Sequence, residues 1–181
     1  MRKLILIWTK TTYVATFILF VLCLTFSYQQ QVIGGITEEE VQNLTKIELE
    51  VYNEGNLTLV NEFLDPNYIE HTADKPEAVV GIEAFKERVT YLRTIYTDLN
   101  LSIVETIVKD DRIVWRWVST GTVTGTTNDL PPTGKKMRIE GVGVIRVVNG
   151  KIAERLIYFN EATVLRQLGY TITPPTIEGE E

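Results

Sequence analysis

The chain has 181 residues, with 18 Lys and Arg against 24 Asp and Glu, one Cys and one His. That length suits one ordinary domain with a short extension, and 44% hydrophobic residues with 23% charged residues exclude wholesale disorder. One Cys makes no internal disulfide or zinc cluster, one His leaves a single imidazole for any triad, and the acidic balance excludes the basic stripe of a nucleic-acid binder.

The first segment is distinct in composition. Arg2, Lys3 and Lys10 are the only charges before residue 28, and Tyr13 to Phe26 is an unbroken run of apolar or small residues. A basic start followed by such a run predicts a signal peptide over residues 1–27, with Thr25 and Ser27 as the small residues before a cut. Lys10 interrupts the longer apolar stretch from Leu4, which weakens a spanning helix, while Phe26 and Tyr28 keep an uncleaved anchor open. Leu22 disfavours lipidation of Cys23, and the run lacks the polar face of a core helix. The expectation is export, secreted or periplasmic, with membrane attachment only through residues 1–27. Residues 28–36 read as a linker bending at Gly34-Gly35, residues 37–170 as the domain, and residues 171–181 as a tail.

Within the domain, Thr37 to Glu40 forms a capping box, and Val41, Leu44, Ile47, Leu49, Val51 and Tyr52 mark a helix buried on one side and closed at Gly55. A second short helix is predicted over residues 57–64 and an extended piece over residues 67–72. Ile82, Phe85, Val89, Leu92 and Ile95 mark a third helix over residues 81–96. The period then changes to that of strands, over residues 99–109, 112–121, 135–148 and 151–159. Asp110-Asp111 and Asn149-Gly150 are hairpin turns between consecutive strands, and residues 160–168 suit a terminal helical turn stopped by Gly169. Helices followed by strands predict an α+β fold, a cone-shaped curved antiparallel sheet with N-terminal helices packed on its face. The hollow of such a sheet is a natural small-molecule pocket.

Several segments in order carry a resemblance. They are Tyr68-Ile69-Glu70-His71, Gly81-Ile82-Glu83-Ala84-Phe85, Asp111 to Trp117, Thr120 to Gly125, Leu130-Pro131-Pro132-Thr133-Gly134-Lys135, Asn149 to Glu154 and Arg166-Gln167-Leu168-Gly169. Together they make residues 37–170 resemble the SnoaL-like polyketide cyclase (ester cyclase) family of the nuclear transport factor 2-like superfamily. The resemblance implies an apolar cavity that folds a carbonyl-rich ester and closes a ring by an intramolecular aldol reaction, with no cofactor and no metal. It also implies a homo-oligomer paired through the open sheet face.

The family's acid/base is an aspartate just after the last long strand, and that position is Asn160 here. An amide hydrogen-bonds but does not shuttle a proton at neutral pH, so Asn160 is a candidate pocket wall at a catalytic position. His71 is the one imidazole left as a base by type. If its segment is extended, Glu70 and His71 point to opposite sides. Tyr68 and Tyr158 are candidate hydroxyl donors, and Trp115 and Trp117 candidate walls. Arg146 is either an anchor for a carboxylate or enolate, or half of a salt bridge with Glu154. The expected ligand is a small apolar carbonyl compound, and nucleic acid is not expected. Two other readings stay open, a non-catalytic ligand binder and an interaction module built on the same cone. A hollow interior separates the pocket readings from the module.

Overall fold

The computed structural model describes residues 35–73, 76–126, 131–171 and 173. The chain divides into two units, Met1–Gly35 and Ile36–Glu181, and every described helix and strand lies in the second. The predicted export segment lies outside the described residues.

Helix α1 (Glu38–Leu49) begins at the predicted capping box. Glu40 N–H donates to Thr37 Oγ1 at 3.2 Å, and Glu40 Oε2 accepts from Thr37 N–H at 2.8 Å. The helix loosens into a π-helical turn, Glu50–Glu54, and stops at Gly55 with φ +75°. Only glycine suits that position twice over: the backbone is left-handed, and a Cβ would meet Arg93 Nε at 2.8 Å. Arg93 lies there because its Nη1 donates to the carbonyls of Tyr52 and Asn53, at 2.8 and 2.6 Å, at the end of the π turn. A short 3-10 turn (Leu57–Leu59) leads into α2 (Val60–Phe63).

Strand β1 (Leu64–Thr72) and the two-residue β2 (Val79–Val80) precede α3 (Gly81–Ile95). Four long strands follow, β3 (Asn100–Lys109), β4 (Arg112–Thr122), β5 (Lys136–Val148) and β6 (Lys151–Phe159), and α4 (Glu161–Leu168) ends the domain at Gly169. Both predicted hairpin turns form. Asn149 and Gly150 take φ of +51° and +73°, as a tight two-residue loop requires, and Asp110 takes +54°.

The six strands form one sheet in the order β2-β1-β6-β5-β4-β3. The long strands pair antiparallel, as expected, and β1 adds a parallel pairing with β6. The physical reason is connectivity: β1 and β6 are separated by the whole meander, so no hairpin dictates their direction. The sheet's alternation then sorts the side chains. Ile113, Trp115, Ile145, Ile152, Tyr68 and Leu64 are buried on the helix side, where Phe85 of α3 stacks edge-on against Tyr52, Phe63 and Tyr68 at 5.5–5.9 Å between centroids.

Candidate active site

The hollow between α1, α3 and the sheet is not filled. It encloses a cavity of about 510 Å³, within the range of small-molecule sites. Its walls are mostly aromatic and aliphatic, with Tyr91, Tyr96, Trp115, Trp117, Ile157 and Phe159 among them. Trp117 leans on Phe159 at 6.2 Å and crosses β5 at Gly141, where any Cβ would collide with the indole. Gly141 is thus the residue that lets Trp117 lie flat as a wall.

The floor is charged. Arg155 on β6 is 2% exposed, and its Nη2 donates to Glu48 Oε2 of α1 at 2.8 Å. Its Nη1 lies 3.6 Å from Glu70 Oε2 of β1, which accepts the Tyr68 hydroxyl proton at 2.6 Å. Arg88 of α3 closes on the other oxygen of Glu70. Two carboxylates and two guanidiniums therefore balance in one cluster, beneath an apolar chamber. The Arg155 guanidinium also faces the rings of Phe85 and Tyr68, at 5.7 and 5.9 Å. Burial works against its charge, but Glu48 and its other neighbours hold its pKa above the ordinary value. Burial pushes the Tyr52 and Tyr68 phenols up as well, so both stay protonated at neutral pH. Among the described residues three buried side-chain atoms here take no hydrogen bond: Trp115 Nε1, Arg155 Nε and Glu70 Oε1, the last in ion contact with Arg88.

Trp115 and Trp117 line the cavity. Tyr68 is fully buried behind the floor, bonded to Glu70. The remaining candidates stand elsewhere. His71 is exposed on the outer face of β1, next to the buried Glu70, because alternation sends neighbours to opposite sides. Arg146 is on the outer face of β5, donating to Glu154 at 2.9 Å, the salt-bridge alternative of the sequence reading. Tyr158 is 51% exposed on the outer face of β6. Asn160 is exposed and caps α4, its Oδ1 accepting from Thr163 N–H at 3.2 Å. It does not face the cavity; the last strand's inward positions are Arg155, Ile157 and Phe159.

The sequence reading missed Glu48, Arg88 and Arg155. Two of them carried a signal. Glu48 falls on the apolar stripe of α1, four residues after Leu44, and Arg155 alternates with Ala153 and Ile157. A charge on a buried stripe marks either a paired cluster or a site.

A curved mixed sheet closed over by helices around a hollow is the cone fold of the nuclear transport factor 2-like proteins. The family model for SnoaL-like polyketide cyclases matches residues 43–168, and the chain belongs to that family. It is 30% identical over 145 residues to an aklanonic acid methyl ester cyclase of Streptomyces peucetius, covering 76% of this chain and 94% of the relative. A second aklanonic acid methyl ester cyclase, from Streptomyces sp. (strain C5), is 29% identical over 145 residues, covering 76% and 85%. Among solved structures, TsrD of Streptomyces laurentii superposes with a TM-score of 0.68 at 24% identity, over 74% of this chain and 98% of that one, a likeness of fold.

Proposed function

We propose that this protein binds a small apolar carbonyl compound in its cavity and promotes an aldol-type ring closure, or related proton chemistry, without a cofactor. The observation that carries the proposal is the chamber itself: an open apolar volume of about 510 Å³ resting on a buried cluster of ionisable groups. Apolar walls would take up the carbon skeleton, and the polar floor offers the few oriented groups that carbonyl chemistry needs. The curated relatives are cyclases of a methyl ester, which supports a neutral ester or ketone as the ligand class. The experiment is to incubate the purified full chain with aklanonic acid methyl ester and follow ring closure by liquid chromatography and mass spectrometry. Turnover supports the proposal. Retention of the ester on the protein without turnover would leave the non-catalytic binder, and neither binding nor turnover would remove this ligand class.

The outer sheet face supports a homo-oligomer. Ile107, Val114, Val144 and Leu156 form one cross-strand row there, with Val142 and Tyr158 beside it, and Ile107 is 57% exposed. A second copy of the chain would cover this stripe, and sedimentation of the wild type against Ile107→Lys tests it. Export through residues 1–27 is likewise proposed, and the mass of the chain recovered from its native host reads whether the segment is removed.

A further inference from the structure

Strand β5 carries two glycines on its inner face, Gly141 and Gly143, one step of the alternation apart. Glycine weakens the interior of a strand, so each position needs a reason. Gly141 has one in the Trp117 indole that lies across it. At Gly143 the reasons of fold are absent. Its φ is not positive, so the backbone does not demand glycine. Its pairings run in register, with Trp115 on β4 and Ile157 on β6, and the β5 irregularity falls later, between Arg146 and Val147. Among the described residues, a Cβ on Gly143 would meet only Ile157 Cδ1, at 3.2 Å. Yet Gly143 is buried, and it lines the cavity, which Gly141 does not. The space over Gly143 is therefore the chamber itself.

This patch of bare backbone is framed. Trp115 and Ile157 flank it on the neighbouring strands, Ile145 follows it on β5, and the Trp117 indole covers the strand on its other side, all four lining the cavity. The backbones of β4 and β6 stand about 9–10 Å apart across it, two strand spacings. A strand without a Cβ offers a flat peptide surface, and a glycine there lets a ligand approach the backbone closely. A planar ring gains from that approach over its whole face, and the bordering indoles favour offset or edge-on contact with it. A globular ring system touches the strand at one point and gains little.

We infer that Gly143 is a specificity-determining residue of the cavity, and that a planar ring of the ligand lies against the bare β5 backbone there, bordered by Trp115, Trp117 and Ile157. The inference deepens the carbonyl-ligand reading proposed above and rests on it: the apolar carbonyl compound is flat. Selection works through the missing side chain, since any Cβ at this position holds the ring off its wall.

The test titrates the full chain, as wild type and Gly143→Ala, with two neutral apolar ketones, flat 9-fluorenone and globular 2-adamantanone, followed by NMR. Wild type is expected to bind 9-fluorenone more tightly. The added methyl asks only the end of Ile157 to shift, and alanine restricts the unfolded chain, so Gly143→Ala is expected to keep or raise the melting temperature. It should hold 2-adamantanone within about twofold of wild type and lose about tenfold or more in affinity for 9-fluorenone. In the wild-type complex with 9-fluorenone, a Gly143 α-proton should move upfield beneath the ring face. A ratio of the two affinities that Gly143→Ala leaves unchanged would overturn the inference. So would a lowered melting temperature with that same ratio, which would make Gly143 mere room for Ile157, or an unmoved α-proton in the 9-fluorenone complex. A wild type that binds 2-adamantanone but not 9-fluorenone overturns the inference and leaves the carbonyl reading in place. One that binds neither ketone overturns both.

Discussion

The two faces of the sheet carry the same residue types in opposite circumstances. On the outer face Arg146 meets Glu154 at 2.9 Å and Arg116 meets Glu105 at 2.9 Å, with the Arg146 and Glu154 side chains about one-third exposed and the Arg116 and Glu105 side chains about one-half. On the inner face Arg155 meets Glu48 at 2.8 Å with both side chains at 5% exposure or less. Distances hardly distinguish the pairs; solvent does. Outside, water competes for every partner and the pair is close to neutral in energy. Inside, each charge depends on the other, and the cluster is kept despite its desolvation cost. That contrast separates ornament from machinery better than any pairwise distance.

The largest expected effect comes from breaking the inner cluster. Arg155→Met leaves Glu48 without its partner and Glu70 with only Arg88 and the Tyr68 hydroxyl, and chemical denaturation is expected to show a loss of about 3–5 kcal/mol. A loss under about 1 kcal/mol would erase the contrast between the faces. Next comes Gly141→Val, whose side chain must displace the Trp117 indole. Overpacking of this kind is expected to cost about 1–3 kcal/mol, and retention of the ester should fall with it because the wall has moved. Asn160→Ala removes the α4 cap for about 1 kcal/mol, whereas Asn160→Asp keeps the cap and is expected to leave binding and turnover of the ester unchanged. A gain of activity in Asn160→Asp would return the site to the strand end. The smallest effect belongs to the outer face. Arg146→Met should cost no more than about 1 kcal/mol, and its effect should depend on pH. The Arg146 hydrogen bond holds the Glu154 carboxyl below the usual carboxylate range. A depressed folded pKa means that the pair's contribution is present above the ordinary carboxylate pKa and is lost as pH falls through the folded value. Stability curves of wild type and Arg146→Met should therefore converge in acid.

The sequence carried the fold well because its signals were local. The capping box at Thr37, the left-handed stop at Gly55, the Asn149-Gly150 turn and the Asn160 to Gly169 helix are all decided within a few residues, and all appear where expected. The parallel β1–β6 pairing was not legible, since it joins strands some eighty residues apart with no turn to announce it. The site was legible only in part. Trp115 and Trp117 followed from alternation, and the Glu70–His71 split followed from the same rule, but which side was inside depended on the closed sheet. Placing the chemistry at Asn160 counted along the chain to the strand's end, where the backbone turns outward into a helix cap. Glu48 and Arg155 stood on apolar stripes in plain view, yet only the fold brings side chains 107 residues apart to 2.8 Å.

That separation has a consequence for how the protein is made. The β3–β4 and β4–β5 pairings close through neighbouring segments of chain, and β5–β6 through a two-residue turn, so the meander has the short-range contacts that form early. The cluster of Glu48, Glu70, Arg88 and Arg155 draws on α1, β1, α3 and β6, and completing it requires the first helix to meet the last strand. The chamber's floor is therefore expected to be laid after its walls. Substitutions at Glu48 should accelerate unfolding while leaving the refolding rate almost untouched, a division that stopped-flow chevrons would read directly.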